Sequence, residues 1–204
     1  TRITAAAVAQ LTGRPITVIP TDNGGAYAPA DFLDNLDRML TPDHKLVIVS
    51  HVSCIDGRRL PVAEAARIAR SRGVPILIDG AQAAGQFPVD IAAIAPDFYA
   101  GSVHKWLLGP AGIGYLYVSR DRLPTFHPYL SPLPYPSEAA GGYVRPLTAG
   151  SQTEIGTESM ATRMGAGNSV DIFRRIGMDV VEAHVRRLTA RLRDGLREIA
   201  GHEM

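Results

Sequence analysis

Two short segments in the middle of the chain carry side chains suited to amine chemistry. Asp79 and Gln82 follow one apolar run, and Ser102, His104 and Lys105 follow another. A lysine amine whose pKa is lowered by partial desolvation can form a Schiff base with a carbonyl compound. A serine hydroxyl and an imidazole beside it are suitable donors for an anion. The five residues together indicate a ligand site at which Lys105 is the reactive group.

Asp79 and Lys105 each have a simpler interpretation. Asp79 precedes Gly-Ala-Gln-Ala, where a carboxylate could cap the start of a helix. Lys105 precedes Trp-Leu-Leu, and a lone lysine in an apolar stretch often extends its amine to the surface. Neither residue decides between the two interpretations alone.

The elements that must position these residues alternate along the chain. Apolar runs bounded by polar residues predict strands at 15–19, 45–50, 74–79, 98–102 and 114–118. Apolar periodicity predicts helices at 3–11, 31–40 and 61–72, with Gly13 and Gly73 closing the first and last. This alternation predicts an α/β fold, a mostly parallel sheet with helices on both faces. Ligands bind beyond the carboxyl ends of such strands, so both segments should line one edge.

The last eighty residues have a different character. Residues 123–157 are rich in proline and glycine, which predicts a long irregular excursion that is functional or packs on a partner. Residues 160–200 predict a long helical region, interrupted at Gly177, whose arginines form a solvated face. Its apolar positions predict a packing face formed by Val170, Phe173, Val180, Val181, Val185, Leu188, Leu192 and Leu196.

Composition excludes several classes of protein. The 204 residues are 46% hydrophobic and 20% charged with a net charge of +1, so nothing favours nucleic acid or a membrane surface as partner. There is no apolar run of eighteen residues and no signal peptide. A single cysteine excludes an internal disulfide and fits a reducing, cytoplasmic location.

Other enzyme motifs are missing or misplaced. Gly109-Pro-Ala-Gly-Ile-Gly114 precedes a strand rather than a helix, the wrong context for dinucleotide binding. The sequence has neither a P-loop nor a G-x-S-x-G nucleophile elbow. Its six histidines are scattered, so no metal site is predicted.

The order and spacing of the chemical residues are more specific than any one of them. Asp79-Gly-Ala-Gln82, Asp97-Phe-Tyr and Ser102-x-His104-Lys105-Trp-x-x-Gly-Pro-x-Gly-Ile-Gly resemble the class V aminotransferases. This group of pyridoxal 5′-phosphate (PLP) enzymes includes cysteine desulfurases, cysteine C–S lyases and isopenicillin-epimerase-like enzymes. The similarity extends from Ser50-His-Val-Ser to Glu-Ile-Gly-Thr157, which is most of the chain.

The resemblance implies a role for each residue. Lys105 would hold PLP as a Schiff base and then act as acid and base at the substrate α-carbon. Asp79 would pair with the pyridinium nitrogen, and Gln82 would donate to the phenolic oxygen. Ser102 and His104 would bind the phosphate.

Three further positions follow from the same resemblance. Thr157 matches the position from which a neighbouring subunit reaches the phosphate, which implies a homodimer. His51 either flanks the cofactor ring or is a hydrogen-bonded structural histidine. Cys54 replaces an asparagine that lies close to the cofactor oxygen in desulfurases; a thiol hydrogen-bonds weakly, so we expect a small buried residue there.

The chain resembles part of a longer polypeptide, since it begins at Thr1 and stops at Met204 directly after a helix. We expect residues 1–160 to be the central part of the PLP-binding large domain, and 161–204 to lead toward an absent small domain. A phosphate cup and the arginine for the substrate carboxylate would then lie outside this sequence.

The reaction stays open between alternatives. Cleavage of a C–S bond in an amino acid, as in a desulfurase or C–S lyase, ranks above transamination or epimerisation. A catalytically incomplete homologue with a scaffold role is the second alternative. The joint presence of Asp79, Gln82, Ser102, His104 and Lys105 favours the enzyme.

Overall fold

The computed structural model describes residues 2–24, 27–126, 153 and 159–200, and its centre is a four-stranded sheet. The strands stand side by side in chain order: β1 (Val47–Ser50), β2 (Ile76–Asp79), β3 (Phe98–Ser102) and β4 (Gly114–Val118). The first three are parallel, and β4 runs antiparallel to β3. The predicted α/β fold with a mostly parallel sheet is confirmed.

The helices lie before, between and after the strands. They are α1 (Arg2–Thr12), α2 (Pro29–Met39), α3 (Val62–Ser71), α4 (Ile91–Ile94), α5 (Met160–Ile176) and α6 (Met178–Ala200), with a 3₁₀ helix at Arg120–Thr125. Gly13 and Gly73 follow α1 and α3 with φ of +67° and +68°, the left-handed conformation in which a glycine ends a helix. None of the described helices is both long and apolar enough to cross a bilayer.

The main core lies between one face of the sheet and helices α2 and α3. Val49 and Ile78 pair across β1 and β2, so both point to this face, where they pack with Leu36 of α2 and Ala65 of α3. Burying each of the larger aliphatic side chains stabilises the fold by roughly 1.5–3 kcal/mol. Small residues on α3 allow the helix to approach the sheet closely.

Residues that point to the opposite face of the sheet are less protected. Ile48 and Leu77 are half-buried, so the strands alternate between buried and half-buried positions. β1, which the sequence predicts to be buried on both faces, is therefore fully buried on only one face in the described part of the chain.

The strand predicted at 15–19 is wrong. This segment is irregular, and its side chains Ile16 and Val18 are 44% and 55% exposed. A strand needs a neighbour to pair with its backbone, and within the described residues no strand pairs with this segment.

Asp97 joins the amino-terminal ends of β2 and β3 to the carboxyl end of β4. Its carboxylate accepts hydrogen bonds from the Ile76 N–H at 2.9 Å and from Arg122 Nε at 2.5 Å, and its carbonyl accepts the Ser119 N–H at 2.8 Å. Asp97 therefore has a structural role at the edge opposite the candidate site.

Helices α5 and α6 confirm the predicted long helical region. The break falls at Gly177, whose φ is +89°. Arg174 and Arg186 have exposed side chains, as expected for a solvated face. On the apolar stripe, Phe173 is buried, whereas Val180 and Leu192 are 59% and 62% exposed among the described residues. The stripe as a whole stays a prediction.

Candidate functional site

The candidate site lies at the carboxyl edge of the sheet, where three parallel strands end side by side. Ser50 pairs with Asp79, and Asp79 pairs with Ala100. β3 continues two residues further to Ser102, which begins the segment that carries Lys105. The structure thus brings the predicted segments to one edge, as expected for a parallel sheet.

Asp79 ends β2 and caps the turn that follows it. One carboxylate oxygen accepts the Ala81 N–H at 3.0 Å, and the Ala83 N–H donates to the Gly80 carbonyl at 2.9 Å. The capping alternative is thus correct in part, although the carboxylate caps a turn and not a helix. Burial, together with the negative charge of Asp79, raises the pKa of Tyr115 to about 12.

Gln82 is joined to the lysine segment. Its Oε1 accepts a hydrogen bond from Trp106 Nε1 at 2.8 Å. Gly85 lies against the same segment with φ of +96°, and a Cβ there would lie 2.3 Å from the carbonyl carbon of Trp106. Only a glycine allows this approach, so the turn after β2 and the residues beside Lys105 pack as one unit.

Lys105 lies in a short loop between β3 and β4 whose path is fixed by two backbone hydrogen bonds. The Val103 N–H donates to Ile113 O at 3.2 Å, and the Gly109 N–H donates to Val103 O at 3.0 Å. Lys105 is half-buried and His104 is exposed. Beyond them Leu108 has φ of +56°, an uncommon conformation for a leucine, which the closed loop holds in place.

Ser102 carries the most informative polar atom of the site. Its Oγ is buried and has no hydrogen-bond partner among the residues that the structure describes. A buried hydroxyl without a partner is destabilising and rare, so its presence calls for a ligand or a special role. Ser102 is also one of the two residues predicted to bind a phosphate.

His51 has the surroundings of a structural histidine. It is 3% exposed, its Nδ1 lies 2.9 Å from Tyr99 Oη, and its ring meets the edge of Phe87 at 5.2 Å. Burial, with a smaller contribution from the positive charge of Arg59, lowers its pKa to about 4. These contacts match the structural alternative. The role beside the cofactor ring stays a prediction.

The expectation of a buried Cys54 is wrong. Cys54 is exposed on a tight loop after β1. The loop is closed by two backbone hydrogen bonds, from the Ser53 N–H to Arg58 O and from the Gly57 N–H to Ser53 O. These bonds turn the chain outward at Cys54, so the thiol is not part of the core.

Thr157, with the preceding Glu154, Ile155 and Gly156, lies outside the described residues. Most of the predicted excursion, 127–152 and 154–157, does so as well. The role of Thr157 therefore stays a prediction.

Sequence reasoning missed the part played by Tyr115. This residue of β4 pairs with Gly101 of β3, and its hydroxyl donates to the Gly80 carbonyl at 3.1 Å. An aromatic residue opposite a strand glycine is a signal that could have indicated the contact. Trp106 is part of the motif around Lys105, but nothing in that motif indicates that its indole donates a hydrogen bond to Gln82.

Similarity to known proteins extends over the whole chain. The model of the aminotransferase class-V family matches residues 1–204. A probable cysteine desulfurase of Xylella fastidiosa is 37% identical over 169 residues, which are 83% of this chain and 40% of that protein.

Two solved structures extend the comparison to the fold. The apo structure of a cysteine desulfurase from Thermococcus onnurineus NA1 has a TM-score of 0.80 and 28% identity, covering 96% of this chain and 48% of that one. The cystine C–S lyase C-DES, solved in one case with glycine covalently linked to its PLP cofactor, has a TM-score of 0.71 and 29% identity, covering 85% of this chain and 46% of that one. The chain thus spans about half the length of these proteins.

Proposed function

The chain belongs to the class-V aminotransferase family, and on that premise we propose that it is part of a PLP-dependent enzyme that acts on an amino acid through Lys105. The observation that carries the proposal is the buried Ser102 hydroxyl, three residues before the lysine, which has no hydrogen-bond partner among the described residues. A phosphate oxygen would accept the hydrogen bond that no described residue accepts.

The other residues fit the same cofactor. Asp79 would hold the pyridinium nitrogen in its protonated form, and the amide of Gln82 would donate to the phenolic oxygen. His104 is exposed beside the lysine, where an imidazole can contact a phosphate. Lys105 Nζ would bind the cofactor covalently and later carry the proton to or from the substrate α-carbon. PLP, when bound, supplies an electron sink for the carbanion at that carbon.

For the reaction we propose cleavage of a C–S bond in a cysteine-like amino acid. Support comes from the cysteine desulfurases and the cystine C–S lyase to which the chain is similar. Desulfuration of cysteine leaves alanine and passes the sulfur atom to an acceptor thiol as a persulfide. β-Elimination instead releases sulfide, and water then converts the remaining aminoacrylate to pyruvate and ammonia. The products therefore separate the two forms of the reaction. With cysteine as the only substrate, a transaminase would form mercaptopyruvate and an epimerase would form D-cysteine, not alanine or pyruvate.

The proposal includes an assembly and a location. Thr157 would reach the phosphate of a neighbouring subunit in a homodimer. Residues 1–160 would form the central part of the large domain, and 161–204 would lead toward a small domain. With a single cysteine, the chain suits a reducing compartment, and we place it in the cytosol.

Covalent trapping tests the cofactor assignment. The sequence contains only two lysines, Lys45 and Lys105, so borohydride reduction of the PLP-loaded protein followed by peptide mapping has few possible outcomes. We expect the label on the Lys105 peptide, its loss in Lys105→Ala, and its retention in Lys45→Ala. Far-ultraviolet circular dichroism of both variants checks that they fold.

Each part of the proposal has its own contradicting result. A colourless protein that takes up no PLP contradicts the cofactor assignment. Label on Lys45 contradicts the role of Lys105. Labelling at Lys105 with mercaptopyruvate or D-cysteine as the product from cysteine, and neither alanine nor pyruvate, retains the cofactor and contradicts C–S cleavage.

A further inference from the structure

Trp106 fixes the orientation of the Gln82 side chain. The indole Nε1 lies 2.8 Å from Gln82 Oε1. An indole N–H can only donate, so the amide atom that it contacts must be the oxygen. The amide nitrogen, with two donors, is therefore turned away from Trp106.

The backbone around this hydrogen bond is held as well. The side-chain amide of Gln86 donates to the Gln82 carbonyl, and Gly85 packs against the Trp106 backbone. Gln82 therefore has little freedom to move away from Trp106. Since Trp106 is 45% exposed, its removal should leave the core intact.

We infer that Trp106 is a positioning residue that makes Gln82 present a donor, and not an acceptor, to the phenolic oxygen of PLP. The inference rests on the proposed function. A flipped amide would present its oxygen to an anionic phenolate and repel it. Because Trp106 occupies the amide oxygen, the productive orientation is set before the cofactor arrives.

The pH dependence of the bound cofactor reports this orientation. The negative charge of the phenolic oxygen stabilises the proton on the nitrogen that joins Lys105 to the cofactor. A hydrogen-bond donor to that oxygen reduces this stabilisation. Loss of the donor therefore raises the pH at which the visible absorption band titrates. One hydrogen bond corresponds to an upward shift of about half to one pH unit.

A double-mutant cycle on the PLP-loaded protein tests the coupling. We expect an upward shift of the midpoint in Trp106→Phe, a shift at least as large in Gln82→Leu, and no further shift in the double variant. Additive shifts, or a Trp106→Phe midpoint equal to that of the unsubstituted protein, would overturn the inference.

A second measurement needs no cofactor. Trp106 is the only tryptophan in the sequence, so intrinsic fluorescence reports its surroundings directly. We expect Gln82→Leu to shift the emission maximum, because the indole N–H exchanges the amide oxygen for a different environment, and Gln10→Leu on the exposed side of α1 to leave it unchanged. Unchanged emission in Gln82→Leu overturns the hydrogen bond itself. A shifted emission in a protein that binds no PLP overturns the proposed function and the inference with it.

Discussion

The hydroxyl of Tyr115 donates a hydrogen bond to the main-chain carbonyl of Gly80, 3.1 Å away, from a strand that is not adjacent to β2. To reach it the ring passes over Gly101, where a Cβ would lie 2.1 Å from Tyr115 Oη. Gly80 directly follows Asp79, and Gly101 directly precedes Ser102. The contact therefore ties together the two strand ends on which the proposed cofactor residues lie.

Tyr115→Phe should lower the free energy of unfolding by about 1 kcal/mol, the contribution of one partly buried hydrogen bond. Tyr117→Phe is the matched control, because Tyr117 lies on the same face of β4 and is 39% exposed. Urea denaturation of the two variants measures the difference. Equal losses of unfolding free energy in the two variants would show that the hydrogen bond to Gly80 does not stabilise the fold.

Gly101→Ala should destabilise the protein by about 1–3 kcal/mol, because the added methyl group overlaps the Tyr115 ring. Tyr115→Leu in the same chain should recover part of this loss by removing the ring. Gly167→Ala is the control, since a Cβ at that position in α5 meets no atom within 4 Å. Denaturation midpoints test all three, and a Gly101→Ala protein as stable as Gly167→Ala contradicts the close approach.

Ser102→Ala should leave the cofactor-free protein as stable or more stable, because it removes a buried hydroxyl that has no partner in the described part of the chain. It should weaken binding of PLP about three- to tenfold and leave binding of pyridoxal, which lacks the phosphate, unchanged. Ser119→Ala removes a second buried hydroxyl for which the described residues offer no partner, at the opposite end of the sheet, and should not alter PLP binding. Absorbance titrations measure both ligands; a weakened affinity for pyridoxal in Ser102→Ala would contradict a phosphate contact.

His51 should make the fold sensitive to acid. Its folded pKa of about 4 lies below the ordinary value of 6.5, so between these pH values the unfolded chain binds a proton that the folded chain does not. Stability should therefore fall as the pH drops through this window, by up to about 3 kcal/mol, and be independent of His51 above it.

Unfolding free energies at pH 7.5, 6 and 5 check this dependence. His51→Gln should flatten the decline, while His184→Gln, at an exposed position of α6, should retain it. If the unfolding free energy of His51→Gln falls with pH as steeply as that of the unsubstituted protein, other groups cause the acid sensitivity.

In this chain, sequence patterns predict the structural features that depend on residues close together in the sequence. The strands ending at Asp79 and Ser102 follow from apolar runs, and the ends of α1 and α3 follow from glycines. The strand predicted at 15–19 fails because pairing depends on a second strand. Cys54 is placed wrongly because the path of a tight loop, not the type of residue, decides whether a thiol is buried.

In the candidate site, too, the sequence predicts the local features and not the long-range contacts. The identities of Asp79, Gln82, Ser102, His104 and Lys105 and their spacing indicate a cofactor, and the structure places them along one edge. The bond between Gln82 and Trp106 joins residues 24 positions apart, and the bond between Gly80 and Tyr115 joins residues 35 positions apart. No local pattern contains such contacts, because they depend on how the strands pack.

The loop that carries Lys105 leaves β3 at Ser102 and rejoins the sheet at Gly114, and these two residues are paired with each other. A single residue pair of the sheet therefore holds both ends of the loop. For protein engineering, residues 103–113 form a cassette that should be exchanged together with Gln82 and Gly85, because both contact Trp106. A graft from another member of the family would keep its attachment points, so the chemistry of the lysine loop can be varied while the sheet remains a constant scaffold.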